Sequence, residues 1–246
     1  MNLWTYWEGP RLPYLSVCLE TMQLISSRKG LEFNLVTPET LSEFIPSDYL
    51  NPNYKNLKQP ALKADCIRAA LLAYYGGWWF DADTVMIRSP ESIIKTYDDP
   101  EIAYCTWTKP PRRVLNGYIY FRKDNPLAKD WLETINNALE DPNSVSWCSI
   151  GEGILTKRVP GTHRAVEIPR RLFLPVDIDS RVSDFFNPGK VEEYVWEDTV
   201  CFGLNHSWFL YHHAGETQAK PQAWDNGDSL FFRLMRKAAM LVNHVA

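Results

Sequence analysis

The apolar positions along the chain switch between strand-like and helix-like spacing, and the switches predict most of the elements. Residues 2–7 are apolar and aromatic and read as a short first strand. Pro13 to Arg28 carries Leu15, Leu19, Met22 and Ile25 at helical spacing. Phe33 to Val36 reads as a second strand, and Thr37-Pro38 as an N-cap with proline at the first helical position. Residues 46–60 are rich in Pro, Asn and Lys and read as loop. Pro60 to Tyr75 is a strong helix with Leu62, Ile67, Ala70, Leu71 and Tyr74, and Gly76-Gly77 stops it. Trp78 to Phe80 then forms a buried strand running into Asp81-Ala82-Asp83.

The second half is looser. A short helix starts at Ser89-Pro90, strands cover Ile102–Thr106 and Val114–Arg122, and Asn125-Pro126 opens a helix to about Leu139. Gly153–Arg158 reads as helical, residues 166–204 as irregular strands and loops, and Leu230–Val242 as a closing amphipathic helix. Strands alternating with helices, followed by an irregular stretch, predict an α/β sandwich with a mixed sheet. No repeat and no long linker divides the chain, so one domain over 1–246 is expected.

Composition narrows the class. The hydrophobic share is 45% and the charged share 23%, which excludes wholesale disorder. Lys+Arg 26 against Asp+Glu 30 gives a net charge of −4, unsuited to binding nucleic acid through phosphate neutralisation. The first ten residues have neither a basic start nor an apolar run, so they do not read as a signal peptide. The most apolar stretch, Ala69 to Phe80, is broken by Gly76-Gly77 and far short of the roughly 20 residues that span a bilayer. Five scattered cysteines, with no Cys-x-x-Cys pair, read as reduced thiols of a cytoplasmic protein rather than a disulfide or zinc framework.

The chemistry concentrates between Asp65 and Asp83. Asp65 and Arg68 are three apart on the predicted helix and share a face. Asp81 and Asp83 are two apart in an extended segment, so both carboxylates point to one side. They sit at the carboxyl end of a strand, where open α/β sheets bind their ligands. Two hard oxygen donors there suit Mg²⁺ or Mn²⁺ with a diphosphate and water completing the shell. Taken alone, Asp65/Arg68 reads better as a surface ion pair worth ~0.3–0.5 kcal/mol, and a lone Asp-x-Asp as a solvated turn. Helix acid, helix arginine, Gly-Gly break, aromatic strand and Asp-x-Asp together form a much rarer combination.

That combination, with the opening Leu3-Trp4-Thr5-Tyr6-Trp7-Glu8-Gly9-Pro10, resembles the DXD-motif sugar-nucleotide glycosyltransferases of the GT-A fold. The nearest kinds are the capsular-polysaccharide-synthesis group and glycosyltransferase family 32. The resemblance covers residues 1–90 and is weaker beyond. It implies a single GT-A domain, with residues 1–90 as the nucleotide-sugar and metal half and 91–246 as the acceptor half. It implies that Asp81 and Asp83 hold Mn²⁺ or Mg²⁺ and through it the diphosphate, that Asp65 and Arg68 bind donor-sugar hydroxyls, and that Thr5, Tyr6 and Trp7 contact the nucleoside. Tyr211-His212-His213-Ala214-Gly215 with Lys220-Pro221 is similar to a carboxyl-terminal His-x-x-Gly…Lys-Pro-Trp segment. By that likeness His212 is a metal ligand and Lys220 reaches the diphosphate. Extra residues separate Gly215 from Lys220, so Lys220 and the choice of His212 over His213 stay open, with His206 as a weaker rival. Asn116, before Gly117, resembles an asparagine near the donor sugar.

Glu152, between Gly151 and Gly153, stands where family 32 often has proline. It is the first candidate for a base on the acceptor hydroxyl, ahead of Asp177 and Asp179, and reads equally as an acid favoured at a helix start. The expected reaction is transfer from a nucleotide sugar, by family analogy a UDP sugar, to a glycan or polysaccharide hydroxyl. Two other readings compete. Trp78-Trp79-Phe80-Asp81-Ala82-Asp83-Thr84-Val85 also fits a haloacid-dehalogenase-type phosphatase with Asp81 as nucleophile, but its late acidic motif is missing, with Phe232 where the second Asp belongs after Gly227-Asp228. A binding module without turnover is the non-enzyme reading.

Overall fold

The computed structural model describes residues 1–177 and 181–243. In chain order the regular elements are β1 (Asn2–Tyr6), α1 (Pro13–Arg28), β2 (Glu32–Val36), α2 (Leu41–Phe44), α3 (Pro60–Tyr75), β3 (Gly77–Phe80), β4 (Thr84–Met86), α4 (Glu91–Thr96), β5 (Ile102–Thr106) and β6 (Val114–Phe121). There follow α5 (Pro126–Ala138), α6 (Glu152–Arg158), β7 (Ala165–Glu167), β8 (Cys201–Gly203), α7 (His206–His212), α8 (Ala214–Thr217), α9 (Pro221–Trp224) and α10 (Leu230–Asn243). The fold is mixed α/β. It comprises two compact units, each drawn from three chain segments.

The first unit holds Met1–Glu8, Leu31–Asp81 and Pro90–Ile168. Its centre is a six-stranded sheet in the order β2-β1-β3-β6-β5-β7. The β2-β1-β3 and β5-β7 pairs are parallel, while β6 runs antiparallel to both β3 and β5. Alternation along the strands gives the sheet two buried faces. Trp4, Tyr6, Trp79, Ile102, Tyr104, Ile119 and Phe121 face one core with α3 and α5 residues such as Ile67, Leu71, Trp131 and Ile135. Leu3, Trp78, Phe80, Tyr118 and Tyr120 are buried on the other face. A sheet buried on both faces explains why β3 reads as a continuous apolar run rather than an alternating one.

The helix α3 has the predicted bounds, because Pro60 starts it and Gly76 ends it in a left-handed conformation. The Gly76-Gly77 pair is then forced by crowding as well as by φ. A Cβ at Gly77, whose φ is +104°, would lie 2.5 Å from the Asn2 carbonyl oxygen. One predicted start moves. Thr37 opens a turn, not a helix, and α2 begins at Leu41. The Thr37 amide donates to Thr40 Oγ1 at 3.0 Å, so the two threonines close a local turn of their own before the helix starts.

The second unit holds Gly9–Gly30, Ala82–Ser89 and Pro169–Ala246. It contains the two-stranded antiparallel pair β4-β8, with α1 packed on β4 and on α10. Its core collects Tyr14, Met22, Val85, Phe185, Phe202, Phe209, Phe231 and Met235, all buried. Among the described residues of 166–204 the chain is irregular as expected, with β7 and β8 and short 3₁₀ turns. The helices α7 to α9 lie in a stretch where the apolar pattern predicts no element.

Gly77→Ala places a side chain against backbone at positive φ and is expected to destabilise the protein by about 1–3 kcal/mol, read as a lower denaturation midpoint.

Candidate functional site

Two glycines, one arginine and one tryptophan organise the acids of the first unit. Arg68 leaves α3 one turn after Asp65, and its side chain is only 4% exposed. Nη1 donates to Asp65 Oδ1 at 2.7 Å and Nη2 to Asp81 Oδ1 at 2.7 Å. The guanidinium also lies over the Trp79 ring, 4.6 Å from its centroid. Each acid has a second nitrogen donor on the same oxygen. Asn116 Nδ2 donates to Asp65 Oδ1 at 2.7 Å, and Trp79 Nε1 to Asp81 Oδ1 at 2.9 Å. Asp81 is thereby fixed at the end of β3, with its amide bonded to the Gly117 carbonyl on β6.

The other oxygen of each acid lies against a glycine. A Cβ on Gly117 would fall 2.3 Å from Asp81 Oδ2, and one on Gly151 would fall 2.5 Å from Asp65 Oδ2 and 2.3 Å from Asn116 Nδ2. Only hydrogen fits in either place. Asp65 is largely buried, and desolvation pushes its carboxyl from an ordinary 3.8 up to about 6. Arg68 opposes that shift, Asp81 and Glu152 add to it as like charges, and the Asn116 bond opposes it.

Glu152 opens α6 next to Gly151 and is buried. Trp107 Nε1 donates to its Oε1 at 2.8 Å, and Arg113 Nη1 and the Cys148 thiol approach Oε2 at 3.5 and 3.6 Å. Burial and the Glu152 charge raise the Cys148 thiol to about 11, so it remains protonated at neutral pH. On β1, Thr5 is fully buried and its hydroxyl has no partner among the described residues. Tyr6 donates its hydroxyl to Glu8 Oε2 at 2.9 Å, and the Trp7 amide donates to Val36.

The remaining expected site residues belong to the second unit. Asp83 accepts the His206 amide on Oδ2 at 2.8 Å, and its carbonyl accepts the Leu204 amide at 3.0 Å. His206 bonds through Nδ1 to the Tyr14 hydroxyl. Burial lowers the His206 ring below its ordinary range, which favours the neutral imidazole. His212 is exposed at the end of α7, its ring 4.4 Å from that of Trp208. His213 stacks flat on Phe186 at 3.7 Å and lies 3.6 Å from Glu216. Lys220 is exposed at the start of α9. Asp177 pairs with Arg170 at 2.6 Å, and Asp179 lies outside the described residues.

The structure thus brings together Asp65, Arg68, Asp81 and Asn116 in one hydrogen-bonded group, with Glu152 close enough to shift Asp65. Trp79, Trp107 and Tyr14 enter these networks without having been singled out by the sequence. Their only signal there is an indole or phenol near an acid, which is too common to select them.

Comparison with known proteins agrees on the motif. Residues 17–99 match the family described as glycosyltransferase sugar-binding region containing DXD motif. That segment contains Asp65, Arg68, Asp81 and Asp83. The O-glycosyltransferase braB of Annulohypoxylon truncatum is 31% identical over 111 residues, which take in 42% of this chain and 26% of that protein. The O-glycosyltransferase PaGT of Phomopsis amygdali is 30% identical over 87 residues, 33% of this chain and 21% of that protein. The matched stretch therefore spans about a quarter of the length of either relative. Among solved structures, the PaToxG glycosyltransferase superposes with a TM-score of 0.41 at 15% identity, over 65% of this chain and 70% of that one. A glycosyltransferase involved in glycosylation of the major capsid of PBCV-1 superposes with a TM-score of 0.40 at 16% identity, over 69% and 82%.

Two outcomes test this geometry. Gly117→Ala is expected to displace the Asp81 carboxylate and weaken function at the site far more than it lowers the melting temperature. The Asp65 carboxyl binds its proton more tightly folded than unfolded, so its contribution to stability is present below about pH 4 and is lost as pH rises to about 6. The difference in unfolding free energy between wild type and Asp65→Asn should move against the wild type across that window, measured by urea titration at each pH.

Proposed function

We propose that this chain is a metal-dependent glycosyltransferase that moves a sugar from a nucleotide-diphosphate sugar, of the UDP class, to a hydroxyl acceptor on a glycan or polysaccharide. The observation that carries the reading is the Asp65–Arg68–Asp81–Asn116 group, of which Asp65, Arg68 and Asp81 lie in the segment that matches the DXD sugar-binding family. Four polar side chains held this closely, with glycines making room for the two outer oxygens, suit a polyhydroxylated ligand.

The donor set also fits a divalent cation. Asp81 and Asp83 offer hard carboxylate oxygens, the type that Mg²⁺ and Mn²⁺ prefer. The Asp81 side chain is 41% exposed and takes its two nitrogen donors on Oδ1, away from Oδ2. When bound, such an ion neutralises charge on a departing diphosphate. His212 is the proposed third protein ligand, and Lys220 a proposed cation for the diphosphate. Both are exposed, which suits residues that meet a ligand from solvent.

The protein's own groups have separable tasks. The Asp65 carboxylate accepts from donor-sugar hydroxyls, and Asn116 fixes its orientation. Arg68 holds Asp65 and Asp81 at a set separation by donating to one oxygen of each. Thr5, Tyr6 and Trp7, at the end of β1, are proposed to border the nucleoside. Glu152 is proposed to face the acceptor hydroxyl, oriented by Trp107 and balanced by Arg113. Orientation of this kind lowers the barrier by holding reacting groups near their attack geometry.

The phosphatase reading is disfavoured by the state of Asp81. Its Oδ1 already accepts from Arg68 and Trp79, and donors on a carboxylate oxygen draw off the electron density that a nucleophile needs. No helix among the described residues is long and apolar enough to cross a membrane. A cytoplasmic location is proposed from the scattered cysteines, all of them free thiols here.

The test is a thermal-shift and hydrolysis panel of nucleotides and nucleotide sugars, with Mn²⁺ or with EDTA. Stabilisation by UDP that needs Mn²⁺, with slow UDP release from one donor, is the expected result. Phosphate release from simple phosphoesters without any nucleotide effect overturns the reading. Asp83→Asn is expected to reduce donor turnover at least a hundredfold while shifting the melting temperature by no more than a few degrees, roughly the scale of one lost ligand contact.

A further inference from the structure

We propose that Trp79 is a positioning residue that decides which oxygen of Asp81 is presented to a divalent cation. The proposal rests on the metal-dependent reading above and goes beyond it, because it assigns the orientation of the ligand to a residue outside the Asp-x-Asp motif.

Trp79 and Asp81 are two apart at the end of β3, so their side chains leave the same face. The indole is 1% exposed, pinned in the sheet opposite Ile119 of β6 and beside Trp4 of β1. Its Nε1–H donates to Asp81 Oδ1 at 2.9 Å. The same ring carries the Arg68 guanidinium on its face at 4.6 Å, and that guanidinium donates to the same Oδ1 at 2.7 Å. One rigid side chain therefore sets both hydrogen bonds that Oδ1 receives, one directly and one by seating the arginine.

The consequence falls on Oδ2. With two donors filling the lone-pair directions of Oδ1, rotation of the carboxylate about its last torsion costs both bonds. Oδ2 stays on the side where Gly117 leaves room. Partners of this sort, bonded to a ligating carboxylate but not to the metal, typically change metal affinity by 10–100-fold. Arg68 alone does not lock the torsion, since its second donor is committed to Asp65 and its Nε has no partner among the described residues.

The experiment uses the full chain and two replacements at position 79. Trp79→Phe keeps an aromatic face for Arg68 and deletes the N–H. Incorporation of 3-benzothienylalanine at position 79 deletes the N–H while keeping the size and shape of the indole, so the test survives if phenylalanine packs poorly. Mn²⁺ affinity is measured by electron paramagnetic resonance of free Mn²⁺, with and without UDP, beside the melting temperature and the Mn²⁺ dependence of UDP-sugar hydrolysis. The expected result is Mn²⁺ binding about tenfold weaker in both variants. The benzothienyl variant should keep its melting temperature and recover most of the wild-type kcat once Mn²⁺ is saturating. Unchanged Mn²⁺ affinity in the benzothienyl variant overturns the positioning role while leaving the metal-dependent reading intact. Absence of Mn²⁺ binding by the wild type in the presence of UDP overturns that parent reading, and this proposal with it.

Discussion

The interaction on which the rest of the first unit's site depends is the burial of one guanidinium between two carboxylates. Arg68 has almost no contact with solvent, so its charge is tolerable only because Asp65 and Asp81 accept from it. The dependence runs both ways. Asp65 is desolvated, and without Arg68 its charge would be still harder to maintain than a carboxyl raised to about 6 implies. Asp81 sits one residue beyond β3, where sheet hydrogen bonding ends, and takes its orientation from Arg68 and Trp79 instead. The ion pair also ties helix α3 to strand β3 across the sharp turn at Gly76-Gly77.

Close approach is the second constraint, and it explains two glycines that no turn requires. Gly117 lies within β6 and Gly151 immediately precedes α6, and a methyl group at either would collide with an acid of the group. The carboxylates are therefore packed by backbone on one side and by nitrogen donors on the other. Such a group is preorganised: its polar side chains are held in place by the protein's own hydrogen bonds. The second unit holds Asp83 by a different device, the backbone amides of Leu204 after β8 and of His206 at the start of α7, with the His206 ring bonded to the buried Tyr14.

The elements that were predicted well share a local cause. Helix α3 is fixed by Pro60 and Gly76, α5 by Asn125 and Pro126, and β5 and β6 by apolar runs long enough to cross a sheet. Where the cause was not local, the sequence was silent. The helices between 206 and 224 have no amphipathic period of their own, and the start of α2 shifted because Thr37 and Thr40 bond each other.

The same division holds for the site. The sequence by itself determined the motif: an acid and an arginine one helical turn apart, a glycine break, and two acids at a strand end, because those spacings follow from the periods of helix and strand. It also marked Asn116 and Glu152, though only by resemblance and by flanking glycines. Tertiary structure alone decided the partners. That Arg68 reaches both Asp65 and Asp81, that Asn116 meets Asp65 across 51 residues of chain, and that Trp107 holds Glu152 across 45 are facts of packing. Hydrogen bonds between distant residues leave no period in the sequence, since they depend on which strands become neighbours in the sheet.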